Sequence, residues 1–388
     1  MIFQPFQGMF FYNEKLYPLL NTDCDKTWSY DPTIGDKNVD YASVITQGKP
    51  IIDLCPANYQ EQYEFYRKKI KSIIKSYAVA GITLKKQDLK TAIPKNFVKK
   101  YLSVRNLICK NAFEKHKKPL NYDLLLDIHK YCVEASQKPI KLNFNNIDCP
   151  NVSLKDKERL NNTSGYISFD PFKTVTGRLA TKKGSFPILN LKKELRGVIE
   201  PYNDCLVELD FNAAELRVLL ALSGGTQPEK DIHQWNAENI FKDKSLTRDQ
   251  IKEKTFSWLY NKKAVDLSLE TCYNRNLVFN KFFQGTEIKT FFNRKIKSDP
   301  FHALNYIIQS TSSDLFFKQL GKIRKFLKNK KTRIYFSMHD SLVLDFDSSE
   351  KHYLKDLIQI FSETDLGKFK INVSVGRNFG NMKELKTK

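Results

Sequence analysis

The chain has 388 residues, 41% hydrophobic and 13% aromatic, too apolar for a disordered polymer and long enough for one multi-lobed enzyme or about two to three domains. Lys and Arg total 64 against 43 Asp and Glu, a formal net charge of +21 that points to a polyanionic partner, usually nucleic acid, although a basic solvated surface gives the same sum. The seven cysteines stand singly without CxxC spacing, which sets aside zinc ribbons and disulfide scaffolds in favour of reduced thiols.

The apolar start "MIFQPFQGMFFY" lacks a basic region, and no run approaches the roughly 18 apolar residues of a membrane span. A cytoplasmic protein without a membrane partner is the expectation. Residues 1–60 read as irregular, with short strand-like runs such as "VITQGKPIIDL". From Asn58 the pattern turns helical and basic: "YEFYRKKIKSIIKSYAVA" sets apolar residues at helical spacing with Lys between them. The stretches "PKNFVKKYLSVRNLICKNAFEKH" and "NYDLLLDIHKYCVEASQ" continue it. Such helices either grip a duplex backbone or present a solvated face.

The Gly-, Pro- and Thr-rich "PFKTVTGRLATKKGSFPILNL" reads as loops and short strands. "CLVELDF", Cys205 to Phe211, is a strand, and "AAELRVLLALSG" is a helix that starts almost at once and stops at Gly224–Gly225. "LTRDQIKEKTFSWLY" is a helix with Thr247 as its N-cap. A long amphipathic helix, "DPFHALNYIIQSTSSDLFFKQLGKIRKFL", precedes "RIYFSMHDSLVLDF", two apolar strands folded around His339, Asp340 and Ser341. The tail holds the helix "EKHYLKDLIQIFSE" and the strand "KINVSVGR". Strands and helices mixed without strict alternation predict an α+β fold.

Two carboxylates stand out. Asp210 ends an apolar strand just before a helix, where an Asp by itself is usually a cap, and Asp340 sits in a hairpin turn, where it is usually a turn former. One antiparallel sheet could set their strands side by side, and carboxylates so placed repel unless cations sit between them. Two Mg²⁺ ions, or Mn²⁺ in their place, would resolve the conflict and support in-line nucleotidyl transfer. A third feature is Arg248, Lys252, Phe256 and Tyr260, spaced four apart along one helix stripe. Two cations followed by two aromatics suit a triphosphate at one end and a flat base at the other; by itself, a stripe like this also arises by chance on a basic protein.

The motifs "TVTGRL", "LDFNAAELR", "DIHQWNAENIF", "RDQIKEKTFSWLY", "NYIIQSTSSDLF" and "MHDSLVL" occur in one order. Together they resemble the polymerase portion of family A DNA polymerases, the bacterial DNA polymerase I type, from Thr174 to the C-terminus. The resemblance implies a right-hand fold: an N-terminal extension over residues 1–60, a helical thumb over 61–150, a palm over 151–228 and 305–388, and helical fingers over 229–304. It implies Asp210, the backbone carbonyl of Phe211 and Asp340 as metal ligands, and Glu215 as a sugar gate favouring dNTPs. His233, Arg248 and Lys252 would contact the triphosphate, Lys252 also giving a proton to pyrophosphate. Phe256 would stack on the nucleotide and Tyr260 would fill the templating position in the open state. Arg178, Asn305, Gln309 and His339 would contact primer-template DNA, a minor-groove check that reads pair geometry rather than sequence.

This chain departs from the family at Ser341, usually Glu, where "HDS" is more like single-subunit RNA polymerases, and at Asn261, usually Gly. The stretch from Tyr260 to Asn305 is short, which implies trimmed fingers. Residues 1–150 hold no DxE pair, and Asp53 is isolated, so proofreading is expected to be absent or supplied by a separate exonuclease, alongside any processivity partner. The composition resembles that of phage-encoded polymerases, which would place it in a host cytoplasm. An RNA polymerase or primase-like enzyme, and a non-catalytic DNA-binding protein of the same fold, are the alternatives.

Overall fold

Prolines open the two long helices of the N-terminal part. In this computed structural model, which describes residues 10–12, 15–17, 25–32, 38–82, 92–146, 160, 163, 165–243, 245–261 and 263–385, α1 (Ala57–Val79) follows Pro56 and α2 (Lys95–Lys115) follows Pro94. Both prolines hold φ near −55°, pre-set for the chain entering a helix. Tyr63, Tyr66 and Ile70 of α1 and Val98, Tyr101, Leu102, Ile108 and Ala112 of α2 fall on one face of each helix and are buried in one core. The Tyr63 and Tyr101 rings stack there at 6.1 Å. Ala42, Leu54 and Cys55, from before α1, share that core. α3 (Tyr122–Ala135) closes this unit, which runs from Met1 to Glu134.

The strand-like run at 44–54 is corrected. Ala42–Ile45 is a helical turn and Ile51–Leu54 a 3₁₀ turn, separated by Gly48 in the left-handed region at φ +76° and by Pro50. Short apolar pairs such as Val44–Ile45 and Ile51–Ile52 fit a helical turn as well as a strand, and here the Gly and Pro decide.

The second unit, Ala135–Lys388, is built on an antiparallel sheet. Its central strand β1 (Cys205–Phe211) alternates buried and half-buried residues from Val207 onward and runs into α4 (Ala214–Leu222). Then follow α5 (Ile232–Asn236), α6 (Arg248–Tyr260), α7 (Leu267–Tyr273), α8 (Arg275–Phe282) and the small hairpin β2 (Glu287–Lys289)–β3 (Lys295–Lys297). α9 (Ala303–Phe326), buried over most of its length, leads to the hairpin β4 (Arg333–Met338)–β5 (Ser341–Phe346). α10 (Leu354–Ser362), β6 (Ile371–Gly376) and β7 (Lys383–Glu384) complete it.

The sheet order is β4-β5-β1-β6-β7, every neighbour antiparallel. All six residues of β5 are buried, Ser341 and Asp345 among them, around the apolar Leu342, Val343 and Leu344. α10 packs on β1 through the stacked rings of Phe361 and Phe211, 4.4 Å apart. Helices packed on an antiparallel sheet make this an α+β protein, as the mixed pattern predicts. Among the described residues, no helix is long and apolar enough to cross a membrane.

Candidate functional site

The two strands carrying Asp210 and Asp340 are hydrogen-bonded neighbours. Pairing of β5 with β1 sets Ser341 opposite Asp210, and pairing of β6 with β1 sets Asn372 opposite it on the other side. Residues directly opposite share a face of the sheet, so Ser341, Asp210 and Asn372 form one polar row. Asp340 lies one residue before Ser341, in a two-residue turn whose other member, His339, is left-handed at φ +56°. An open cleft of about 620 Å³ lies over this row. Asp210, Asp340, His339, Ser341 and Asn372 line it, with Glu208, Asp231, Arg196, Arg248 and Lys370.

The electrostatics follow from crowding. Burial first, then the charges of Asp340 and Glu208, push Asp210 up to about 7, while Asn372, donating to its carboxylate at 3.3 Å, and Lys252 pull it back. Burial also raises Asp340, against its own backbone N–H, His339 and Arg178. Among the described residues, no three His, Cys, Asp or Glu side chains converge as a ready-made metal cage.

Arg217 anchors the strand-to-helix junction from below. It is fully buried and donates to the Asn212 carbonyl at 2.8 Å, the Asn212 side chain at 3.1 Å, and the Pro228 and Lys230 carbonyls at 2.9 and 2.8 Å. That cage steadies Ala213, held left-handed at φ +50°. Asn212 in turn donates to Asp231 at 2.7 Å, and Asp231 caps α5 by accepting from the backbone N–H groups of His233 and Gln234. Arg248, in the first turn of α6, completes the chain with a 2.7 Å ion pair to Asp231. Although burial opposes it, the hydrogen bonds to Asp231 hold its carboxyl well below the usual range. A phosphate reaching Arg248 must share it with Asp231 or displace it.

α6 starts where the sequence predicts. The Thr247 side chain accepts from the Gln250 N–H, and the Gln250 side chain accepts from the Thr247 N–H, a full capping box. Lys252 is exposed one turn beyond Arg248. The Phe256 and Tyr260 rings stack in parallel at 6.0 Å, and the His233 ring lies 5.8 Å from Phe256. His233 is only 2% exposed, and burial, aided by Arg248, Lys252 and Arg217, lowers it to about 4, so it is neutral at physiological pH. Among the described residues its Nδ1 has no hydrogen-bond partner.

Glu215, in the first turn of α4, accepts from the Tyr260 hydroxyl and pairs with Arg178. Arg178 follows Gly177, whose φ of +78° and whose place against Arg294 leave no room for a side chain: an added Cβ would lie 2.5 Å from the guanidinium carbon. Arg294 is itself paired with the fully buried Asp314 of α9. Asn305 and Gln309 are half-buried one turn apart on α9, outside both clusters. The Phe211 ring is buried, and its backbone pairs with Ile371. Asn261 ends α6 at φ −96°, a conformation open to any residue, so no glycine is required there.

The structure therefore gathers Asp210, Asp340, His339 and Arg248 around the cleft, and Arg178, Glu215, Phe256 and Tyr260 into a second cluster, where burial first and then the Asp340 charge raise Glu215 against Arg178. Sequence reasoning passes over Glu208, Asn372, Asp231, Arg217 and Arg196. The available signal was the alternation of "CLVELDF", which sets Glu208 and Asp210 on one face of β1.

Fold and cleft define an α+β protein whose central antiparallel sheet presents adjacent carboxylates next to a cationic helix. No protein-family profile matches the chain, and no curated protein matches it in sequence. Among solved structures it is similar to the POL domain of Pol1 from M. smegmatis, in complex with DNA primer-template and dNTP, at 14% identity and a TM-score of 0.49. The match covers 85% of this chain and 66% of that one.

Proposed function

We propose that the chain is a template-directed DNA polymerase of the family A type that extends a primer 3′-hydroxyl with dNTPs and lacks its own proofreading site. The supporting observation is the register of β5 on β1, with Asp340 in the hairpin turn next to Asp210 and Arg248 on the wall of the same cleft. Asp210 and Asp340, with the Phe211 carbonyl, would hold two Mg²⁺ ions. The donors suit hard cations, and a site that raises both carboxylates needs positive charge for both to ionise. When bound, the ions supply charge stabilisation for in-line nucleotidyl transfer.

The chain's own groups bind and orient. Arg248 offers a planar fork and Lys252 a mobile point charge to a triphosphate, and Lys252 is exposed enough to hand a proton to departing pyrophosphate. Neutral His233 has an unengaged Nδ1 to offer a phosphate oxygen, but reaching it requires α5 or α6 to shift. The stacked Phe256 and Tyr260 are a flat surface for a base, and Glu215 stands as the sugar gate. Arg178, Asn305, Gln309 and His339 would hold primer-template DNA.

Primer extension with dNTPs and Mg²⁺ is the test, with Asp340→Asn expected to lose at least about 10³-fold in rate. Undiminished extension by that variant would falsify the assignment. Ser341, where the family resemblance expects Glu, favours a second reading, an RNA polymerase or primase-like enzyme. The wild type should prefer dNTPs and Glu215→Ala should lose that preference; a wild type that prefers rNTPs selects the second reading.

A further inference from the structure

Glu208 lies two residues before Asp210 on the same face of β1 and lines the same cleft, yet no motif assigns it a role. In the ladder it stands opposite Val343 of β5, so Ser341 is its diagonal neighbour. The Ser341 hydroxyl is within reach of the Glu208 carboxylate and also 3.1 Å from the Met338 carbonyl. A hydroxyl has one proton, so it satisfies one of these acceptors at a time. Arg196 partly offsets the Glu208 charge; the Arg196 guanidinium lies over the Phe379 ring at 5.1 Å, and its Nε has no hydrogen-bond partner among the described residues.

As a purely structural residue, Glu208 is a poor choice. A third carboxylate beside Asp210 and Asp340 adds repulsion to a half-buried site, and a polar strand position opposite Val343 would be met as well by Thr or Gln. Its placement makes sense if positive charge enters the cleft. Glu208 shares the cleft lining with the two aspartates, and among the described residues no three such side chains converge as a ready-made cage, which fits a carboxylate that accepts from water on a cation better than one that ligates directly.

We propose that Glu208 is a positioning carboxylate for the divalent cation held by Asp210 and Asp340, acting through cation-bound water, with Ser341 as its orienting hydroxyl. This rests on the polymerase reading for the purpose of the site, but its test does not. The full chain is titrated with Mn²⁺ alone, with binding read from the loss of the free-ion paramagnetic resonance signal and thermal midpoints recorded alongside. Glu208→Gln should bind Mn²⁺ about 10-fold or more weakly with little change in metal-free midpoint. The double variant Glu208→Gln, Ser341→Glu, which returns a carboxylate from the neighbouring strand, should recover most of the lost affinity.

Mn²⁺ affinity of Glu208→Gln within about twofold of wild type overturns the proposal, as does a lowered midpoint with unchanged affinity, which would make Glu208 a structural partner of Arg196. A wild-type chain that binds no Mn²⁺ also overturns it. Weakened binding in a protein that never extends a primer would leave Glu208 in this role and remove the polymerase reading instead.

Discussion

Asp210 carries its chemistry in its protonation. Its carboxyl is pushed from 3.8 to about 7, by burial more than by any neighbour. Because the folded value lies above the unfolded one, the folded chain binds the extra proton between those limits. The resulting stability is fully present below about pH 4 and is lost as pH rises through about 7. The shift sets a ceiling of roughly 4 kcal/mol on the cost of ionising Asp210 in the metal-free protein. Asn copies the neutral acid, so Asp210→Asn should melt several degrees above wild type at about pH 8, at roughly 2–4 °C per kcal/mol, and together with it at about pH 4. Mg²⁺ should narrow the gap at the higher pH by stabilising wild type alone. Thermal scans at the two pH values check this, and coincident midpoints at about pH 8 would show that the cleft tolerates the bare charge.

At the scale of the element, the junction from β1 through α4 and α5 to α6 is a relay of hydrogen bonds whose two arginines do different work. Arg217 is sealed inside, donating to three backbone carbonyls, whereas the Arg248 side chain is 51% exposed in its pair with Asp231. Each buried acceptor left unsatisfied when Arg217 is removed costs about 1–3 kcal/mol, while an exposed ion pair contributes about 0–1 kcal/mol. Arg217→Ala should therefore unfold or severely weaken the second unit. Arg248→Ala should leave the denaturation midpoint nearly unchanged and abolish dNTP binding. Equal stability losses for the two would refute this division of labour. The same junction shows what sequence reasoning reaches. The cap at Thr247 is legible because donor and acceptor lie three residues apart, and the strand at Cys205–Phe211 because its alternation is local. Motif order brings Asp210 and Asp340 together across the chain, but the one-residue register that sets Ser341 opposite Asp210 is a non-local pairing. Glu208 thus reads as the polar half of a strand. Arg217 on a helix reads as exposed, because its carbonyl partners leave no trace in side-chain types.

Across the whole molecule, the net charge of +21 includes a basic outer face on the first unit's helices. In the first unit the buried stripe of α1 is apolar, and its outer face carries exposed Arg67, Lys68, Lys69, Lys71 and Lys75; α2 likewise exposes Lys99, Lys100, Lys110 and Lys115. A helix needs some polar outer face to stay soluble, and Glu or Gln would serve as well, so the sign of the charge is what calls for a cause. If these helices grip a duplex backbone, each Lys that meets a phosphate releases a counterion on binding, and affinity falls with salt by a slope of about −0.9 per phosphate contact. Lys71→Gln with Lys75→Gln removes two charges while keeping good helix formers, so the fold of α1 should be undisturbed. Anisotropy titrations of primer-template DNA over a range of salt should then show weaker binding at low salt and a slope shallower by about two, converging on wild type as salt rises. A slope identical to that of wild type would mean that this face only meets water, and that the charge which holds the duplex sits in the second unit.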